Sequence, residues 1–324
     1  MSTILSPKIG HADIVAFAEE RVNLKRDDVK EERAQVQRLR DRLADHIAAN
    51  PEFDLVKMIG SGSLAKGTSL KTINDIDVAV YVKQGEAPTD ESALLEWIAE
   101  RLRDAYGKLV RPDQIQPGVH AVTISFYGTG LDVDVVPILY EGDEELYGYL
   151  ITDTGDRVLT CIPRHLEFIR TRKKSWPKHF RQLIRLTKWW AKTQGEANRA
   201  FRCKSFMLEL IVAKSFDDGL DGSDYPRALE QIFSCIVKGG LKEKIVFGDY
   251  YSPADVKTDG RPIQIYDPVN PVNNVAARYS DGERSAIVAA ATAALEAITY
   301  ASYATTKAIA LGQWRKVFGP EFSA

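Results

Sequence analysis

Polar and hydrophobic positions along this chain follow two periods, and the switch between them organises it. Residues 12–49 read as helix, with Val36, Leu39, Leu43 and Ile47 recurring on one face and Arg, Lys, Asp and Glu between them. The pattern weakens over residues 22–27, which predicts two helices with a break, and Pro51 marks the end. Residues 55–59 read as a short strand, and residues 60–72 as a loop rich in Gly, Ser and Thr. From Asp75 the period becomes two: Ile76, Val78, Val80 and Val82 fall on one face of a strand. Residues 91–106 form an amphipathic helix. Residues 121–127 and 131–139 form two strands joined by Gly128-Thr129-Gly130, a hairpin signal.

Beyond residue 160 the two-residue period disappears. Residues 179–193, 205–217, 225–238 and the Ala-rich 285–311 all carry helical spacing. No internal repeat or low-complexity tract is present. The expected fold is therefore α+β. A strand-containing lobe over residues 1–160 includes an N-terminal spine helix, which bridges to a helical lobe over residues 161–324.

Composition narrows the function classes. Among 324 residues, Lys+Arg number 43 and Asp+Glu 45, a net charge of −2, which argues against a nucleic-acid-coating protein. Hydrophobic residues make up 44% and charged residues 27%, enough apolar surface to fold and no signature of disorder. Cys161, Cys203 and Cys235 lie far apart and fit neither a disulfide framework nor a zinc ribbon, as expected of reduced thiols in a cytoplasmic protein. The five histidines show no metal-ligand spacing. The first residues lack the basic, apolar and small-residue order of a secretory signal. No stretch approaches the roughly 20 apolar residues of a membrane span, so no membrane partner is expected.

The chemistry concentrates after the first strand. Gly62-Ser63-Leu64-Ala65-Lys66-Gly67-Thr68 leads into Asp75-Ile76-Asp77. The period of two puts Asp75 and Asp77 on one face, opposite the apolar row. Neighbouring carboxylates repel unless a cation lies between them. Hard divalent ions take such oxygen ligands and keep places for phosphates. Small residues in the loop let backbone N–H groups approach an anion, and Ser63 adds a hydroxyl. The later strand Leu131-Asp132-Val133-Asp134-Val135-Val136-Pro137 offers a third carboxylate, from which a two-metal site for in-line displacement could be built. The loop is neither a Walker A sequence nor a dinucleotide-binding fingerprint. Taken alone, an Asp-x-Asp pair is commonly just solvated, and Lys66 is equally well an exposed loop lysine.

At these residues the sequence resembles the nucleotidyltransferase superfamily that includes DNA polymerase β. Within it, the chain is similar to the bacterial cGAS/DncV-like nucleotidyltransferases (CD-NTases) and to the 2′-5′-oligoadenylate synthetases. Gly62-Ser63 with Asp75-x-Asp77 fits the signature, and Asp134-Val135-Val136-Pro137 matches the third carboxylate better than Asp132 does. Leu183-Ile184-Arg185-Leu186-Thr187-Lys188-Trp189-Trp190 resembles the family helix whose lysine holds the donor triphosphate. Lys204-Ser205-Phe206-Met207-Leu208-Glu209-Leu210 resembles the helix whose polar residue touches the phosphates. Asp267-Pro268-Val269-Asn270-Pro271 resembles a segment bordering the nucleotide. The resemblance implies a polymerase-β-like nucleotidyltransferase lobe with a mixed β-sheet and a helical second lobe that completes the site. It assigns catalysis and metal binding to Asp75, Asp77 and Asp134, with two Mg²⁺ ions or Mn²⁺ in their place. It assigns nucleotide binding to Gly62, Ser63, Lys188, Ser205 and Asp267.

The likeness is strongest to the clades called C and D, which sit in CBASS antiphage operons. It implies a cyclic oligonucleotide synthase, making cyclic tri-AMP from ATP, with a HORMA-domain regulator and a AAA+ ATPase as partners. The zinc ribbon of animal cGAS is missing, which weighs against DNA sensing of that type. Three alternatives stay open: a cyclic dinucleotide or linear oligoadenylate product, a transferase adding AMP to another molecule, and a scaffold active only in complex with partner proteins. Residues 170–178 (RTRKKSWPK), with Trp176 inside a basic run, are the candidate contact for DNA.

Overall fold

The computed structural model describes residues 7–25, 30–71, 75–85, 87–152 and 154–324, so Thr72, Asn74 and part of the weakened stretch at 22–27 lie outside the described residues. The chain divides into two units, one of Leu24–Arg170 and the other of Met1–Asn23 with Thr171–Ala324. The expected boundary at residue 160 thus moves to follow Arg170. The N-terminal helical region splits too: α1 (His11–Phe17), with a π-helical turn at Ala18–Val22, groups with the helical unit, whereas α2 (Lys30–Ala49) belongs to the sheet unit.

In the sheet unit, β1 (Leu55–Gly60) leads through the short α3 (Gly62–Lys66) to β2 (Asp75–Lys83) and α4 (Glu91–Tyr106). There follow β3 (Ile115–Pro117), β4 (Val122–Phe126), β5 (Leu131–Tyr140), β6 (Gly148–Ile151) and β7 (Arg157–Thr160). The strands pair in the order β1-β2-β5-β4-β3, with β6 bridging β5 and β7. β2 and β5 run parallel and the other pairs are antiparallel, so the sheet is mixed as expected. Val78, Val80 and Val82 of β2 and Val133 and Val135 of β5 pack with Leu39 and Leu43 of α2 and Leu94, Ile98 and Leu102 of α4. This is the face that the two-residue period marked. Farther along, the opposite face is covered as well: Ala79, Tyr81 and Ile138 form a smaller buried cluster, and the Tyr81 hydroxyl accepts a hydrogen bond from the Ile162 N–H. The strands β3, β6 and β7 hold only three or four residues each, too few for a periodic signal.

α5 (Ile162–Ser175) occupies a stretch where the sequence showed only the basic run. The unit boundary falls inside α5, and the helical unit holds α6 (Phe180–Ala197), α7 (Ser205–Asp217), α8 (Tyr225–Gly239), α9 (Asp281–Ser302) and α10 (Lys307–Phe318). Asp224 caps α8, and Ser280 with Glu283 forms a reciprocal capping box on α9. The expected single helix at 285–311 is two helices. The Thr306 side chain accepts from the Ile309 N–H and starts α10, because a β-branched hydroxyl residue serves a helix better as a cap than in its interior. By length and composition α9 is apolar enough to cross a membrane, contrary to the expectation that no segment comes near. Its Ile287, Ala291, Ala294, Ala297, Ile298 and Ala301 are nonetheless buried, on the face packed on α8 and α10.

Phe17 anchors α1 to this unit. It is 1% exposed, with ring centroids 4.9 Å from Phe322, 5.3 Å from Phe318 and 5.9 Å from Trp189. Phe17→Ala is expected to cost about 3–5 kcal/mol. Urea denaturation monitored by tryptophan fluorescence checks this.

Candidate active site

Parallel pairing of β2 with β5 sets Asp75 opposite Asp132 and Asp77 opposite Asp134. Adjacent strands lie about 4.8 Å apart, and register partners share a face, so Asp77 and Asp134 stand side by side. Both are half-buried, while the flanking Val78, Val133 and Val135 are fully buried on the other face. The backbone of Asp75 lies in β2, two residues before Asp77; its side chain lies outside the described set. Among the described residues, no group of three or more His, Cys, Asp or Glu side chains comes together as a metal cluster.

Each of the two aspartates is confined from its outer side. Gly62 has φ +62°, and a Cβ built there would lie 1.8 Å from Asp77 Oδ2. Only glycine fits, on both counts. The Ser61 N–H donates to the Asp77 carbonyl at 2.9 Å, fastening the loop to β2. On the other flank, Thr123 Oγ1 donates to Asp134 Oδ1 at 2.7 Å, and these two residues are register partners across β4 and β5. Sequence reasoning missed Thr123: the hairpin was legible, but the register that sets Thr123 opposite Asp134 was not read.

The expected Gly/Ser loop begins with the helical turn α3. Gly67, at φ 70°, closes it in the left-handed region. The Thr68 N–H donates to the Ser63 carbonyl at 2.9 Å, and the Ser63 and Ser69 hydroxyls share a hydrogen bond at 3.0 Å. Gly62 and Ser63 therefore sit at the start of a closed turn directly beside Asp77.

In the helical unit, the remaining candidate residues are built into local structure. Lys188 on α6 and Glu209 on α7 form an ion pair of 2.6 Å, with both side chains only 2% exposed. Glu209, quoted in the sequence only as part of its motif, is thus a partner that the motif did not announce. Ser205 is exposed as the first residue of α7, and the preceding Lys204 N–H donates to the Tyr279 hydroxyl at 2.8 Å.

Asp267 is 3% exposed. Its carboxylate accepts from the Val269 N–H at 2.8 Å and from Asn273 Nδ2 at 3.2 Å, and its own N–H donates to the Asn273 carbonyl. The Tyr251 hydroxyl donates to the Asp267 carbonyl, and burial together with the nearby Asp267 charge pushes this phenol up to about 12. Burial also pushes the Asp259 carboxyl up, yet hydrogen bonds from the Arg261 N–H, Asn274 and Gln264 outweigh it and hold it below the usual range. The proline-containing segment is thus a turn folded around its own polar groups.

The basic run is less available than its sequence suggested. Arg172 is buried and donates to both oxygens of Asp217 and of Asp249 at 2.6–3.2 Å. Trp176 packs on Phe216, with centroids 5.0 Å apart. Arg170, Lys174 and Lys178 remain exposed.

A scan of protein-family profiles finds no match to the chain. Individual relatives are clear. The chain is 47% identical over 315 residues to a cyclic AMP-AMP-AMP synthase of Escherichia coli strain MS 115-1, covering 97% of this chain and 98% of the relative. It is 34% identical over 310 residues to the CBASS oligonucleotide cyclase CdnC of E. coli strain KTE188, covering 93% of both. Solved structures of E. coli MS115-1 CdnC, one with ATP and one in a complex with HORMA-deltaN, match with TM-score 0.94 and 46% identity. Both cover 98% of this chain, and the match spans 100% and 99% of those chains respectively. Vibrio cholerae DncV in its GTP-bound form shares the fold at TM-score 0.67 and 13% identity, over 97% of this chain and 96% of that one.

Removing one partner of a buried ion pair strands the other charge, whereas replacing both with apolar groups is often neutral or stabilising. Lys188→Met is therefore expected to cost about 3–5 kcal/mol, and Lys188→Met with Glu209→Met to recover most of that loss. Urea denaturation of wild type, single and double variants measures both.

Proposed function

The chain belongs to the CD-NTase family, as an oligonucleotide cyclase of the CBASS type, and from this premise we propose that it condenses ATP into cyclic tri-AMP, a second messenger of antiphage defence. The observation that carries the reading is the register of β2 on β5, which sets Asp77 beside Asp134. The chain aligns over nearly its whole length with a cyclic AMP-AMP-AMP synthase, and this supports the choice of product.

Side-by-side carboxylates, one confined by Gly62 and the other held by Thr123, make a hard-oxygen donor set that suits Mg²⁺. Asp77 and Asp134 would hold the metal, with Asp75 as the third ligand. We assign two ions to this set, Mn²⁺ being able to replace Mg²⁺. When bound, such ions lower the pKa of an acceptor ribose hydroxyl and neutralise the departing pyrophosphate.

The protein's own groups position and polarise. Backbone N–H groups at the start of α3 and the Ser63 hydroxyl are the donors suited to the triphosphate. Asp134 draws the proton from the acceptor hydroxyl as that oxygen bonds to the α-phosphate and the bond to pyrophosphate breaks. Repetition of this step and attack by the chain's own end close the ring. In the helical unit we assign Lys188, Ser205 and Asp267 to the nucleotide. Lys188 acts as an ammonium already matched by Glu209, Ser205 through its exposed hydroxyl, and Asp267 through the turn that it closes. Positioning and electrostatics supply most of the rate in such a transfer. The HORMA complex of the similar CdnC supports a HORMA-domain protein as regulatory partner. The clade adds a AAA+ ATPase, and ATP as substrate makes the cytoplasm the site of action.

The reading is tested by incubating purified protein with labelled ATP, GTP, CTP, UTP and Mg²⁺, with and without a HORMA-domain partner. Phosphatase treatment, chromatography and mass measurement follow. A phosphatase-resistant product with the mass of cyclic tri-AMP is expected. A product trimmed by phosphatase would replace the ring with a linear oligomer. Asp77→Asn and Asp134→Asn are each expected to abolish the product while leaving the thermal melt unchanged or raised, since a repulsion has been removed. Gly62→Ala forces a methyl group into the Asp77 carboxylate and is expected to lower product formation by about 10²-fold, the order of loss for a misplacement near 1 Å.

A further inference from the structure

Asp134 owes its orientation to a neighbour outside every motif. Thr123 Oγ1 lies 2.7 Å from Asp134 Oδ1, within the short range of a hydroxyl donating to a carboxylate. Among the described residues it is the hydrogen-bond donor to this carboxylate. The contact spans two strands and is set by their ladder, in which Thr123 pairs with Asp134 and Val122 with Val135. Val122 and Ile124, on either side of Thr123, are fully buried and lock the strand in place. A β-branched side chain has a stiff χ1, so the hydroxyl is presented from a rigid element. Ser125 holds the equivalent place opposite Asp132, the carboxylate that the motif match did not select.

We propose that Thr123 is a positioning residue for nucleotidyl transfer: it occupies one oxygen of Asp134 and fixes the direction of the other toward the cation and acceptor. This rests on the reading above, in which Asp134 works at the reacting centre. A hydroxyl in this place does two things. It stops the carboxylate from rotating and leaves Oδ2 as the outward ligand. Partners of metal-binding carboxylates typically change metal affinity or activity by about 10–100-fold when removed.

Thr123→Val keeps the branched shape and strand propensity but removes the donor, and Thr123→Ser keeps the donor and removes the methyl group. Both are compared with wild type under conditions in which wild type is active. Thr123→Val is expected to lower kcat by about 10–100-fold with KM for ATP within about twofold, and Thr123→Ser to restore kcat to within about threefold. Independently of turnover, Mn²⁺ affinity measured by electron paramagnetic resonance with a non-hydrolysable ATP analogue should weaken in Thr123→Val and recover in Thr123→Ser. Adding Thr123→Val to Asp134→Asn should cause no further loss of Mn²⁺ affinity, because the threonine acts through that carboxylate.

Wild-type kcat and Mn²⁺ affinity in a folded Thr123→Val protein would overturn the proposal while leaving the carboxylate pair its role. Equal impairment of the valine and serine variants would overturn it also, by tracing the effect to packing. Full activity in Asp134→Asn would instead remove the reading on which it rests.

Discussion

The parallel pairing of β2 with β5 is the constraint on which the rest of the site depends. A slip of one residue would take Asp134 off the face that it shares with Asp77 and drive a carboxylate into the valine core. That core prevents the slip, because the slip would turn Val133 and Val135 off the face on which Val78 and Val80 are buried. Hydrophobic burial on one face thus holds two like charges together on the other. The repulsion between them costs stability, and the buried face offsets it.

The pair is also bracketed sideways. Gly62 presses on Asp77 from the loop side, and Thr123 holds Asp134 from β4. The first restraint is steric and the second a hydrogen bond, but both come from backbone placed by the sheet ladder. Rigid elements of this kind keep functional groups within the narrow geometry that transfer chemistry requires. A long flexible partner at either place would cost entropy on every turnover.

In the helical unit, charge serves architecture. Lys188 with Glu209, Arg172 with Asp217 and Asp249, and the turn closed by Asp267 are buried polar groups answered by buried partners. Such groups are costly unless fully satisfied. They commit the unit to one arrangement of the end of α5 at Arg172, α6, α7 and the 259–274 segment. The same constraint explains why the basic run of residues 170–178 is a weaker anion surface than its composition suggested: Arg172, within the run, is bound inward.

Periodicity along the chain was sufficient to place β2, β4, β5, α4, α6, α7 and α8, and spacing was sufficient to put two carboxylates on one face of β2. The α+β class and the glycine-serine turn before Asp75 were legible too, because each of these depends on residues a few positions apart. The split at Thr306 was hidden because alanine favours helix wherever it stands, and only the cap decides where one helix ends. The unit boundary was legible only roughly, and its place after Arg170, inside α5, was not, since a helix carries no local sign of which neighbours it packs against. The short strands β3, β6 and β7 owe their existence to partners rather than to pattern. Thr123 beside Asp134, Glu209 beside Lys188 and Asp77 against Gly62 join residues 11, 21 and 15 positions apart. Local spacing determines which face a side chain takes, but ladder register and helix packing determine which side chain it meets. Those are decided by burial over the whole unit, and so by tertiary structure alone.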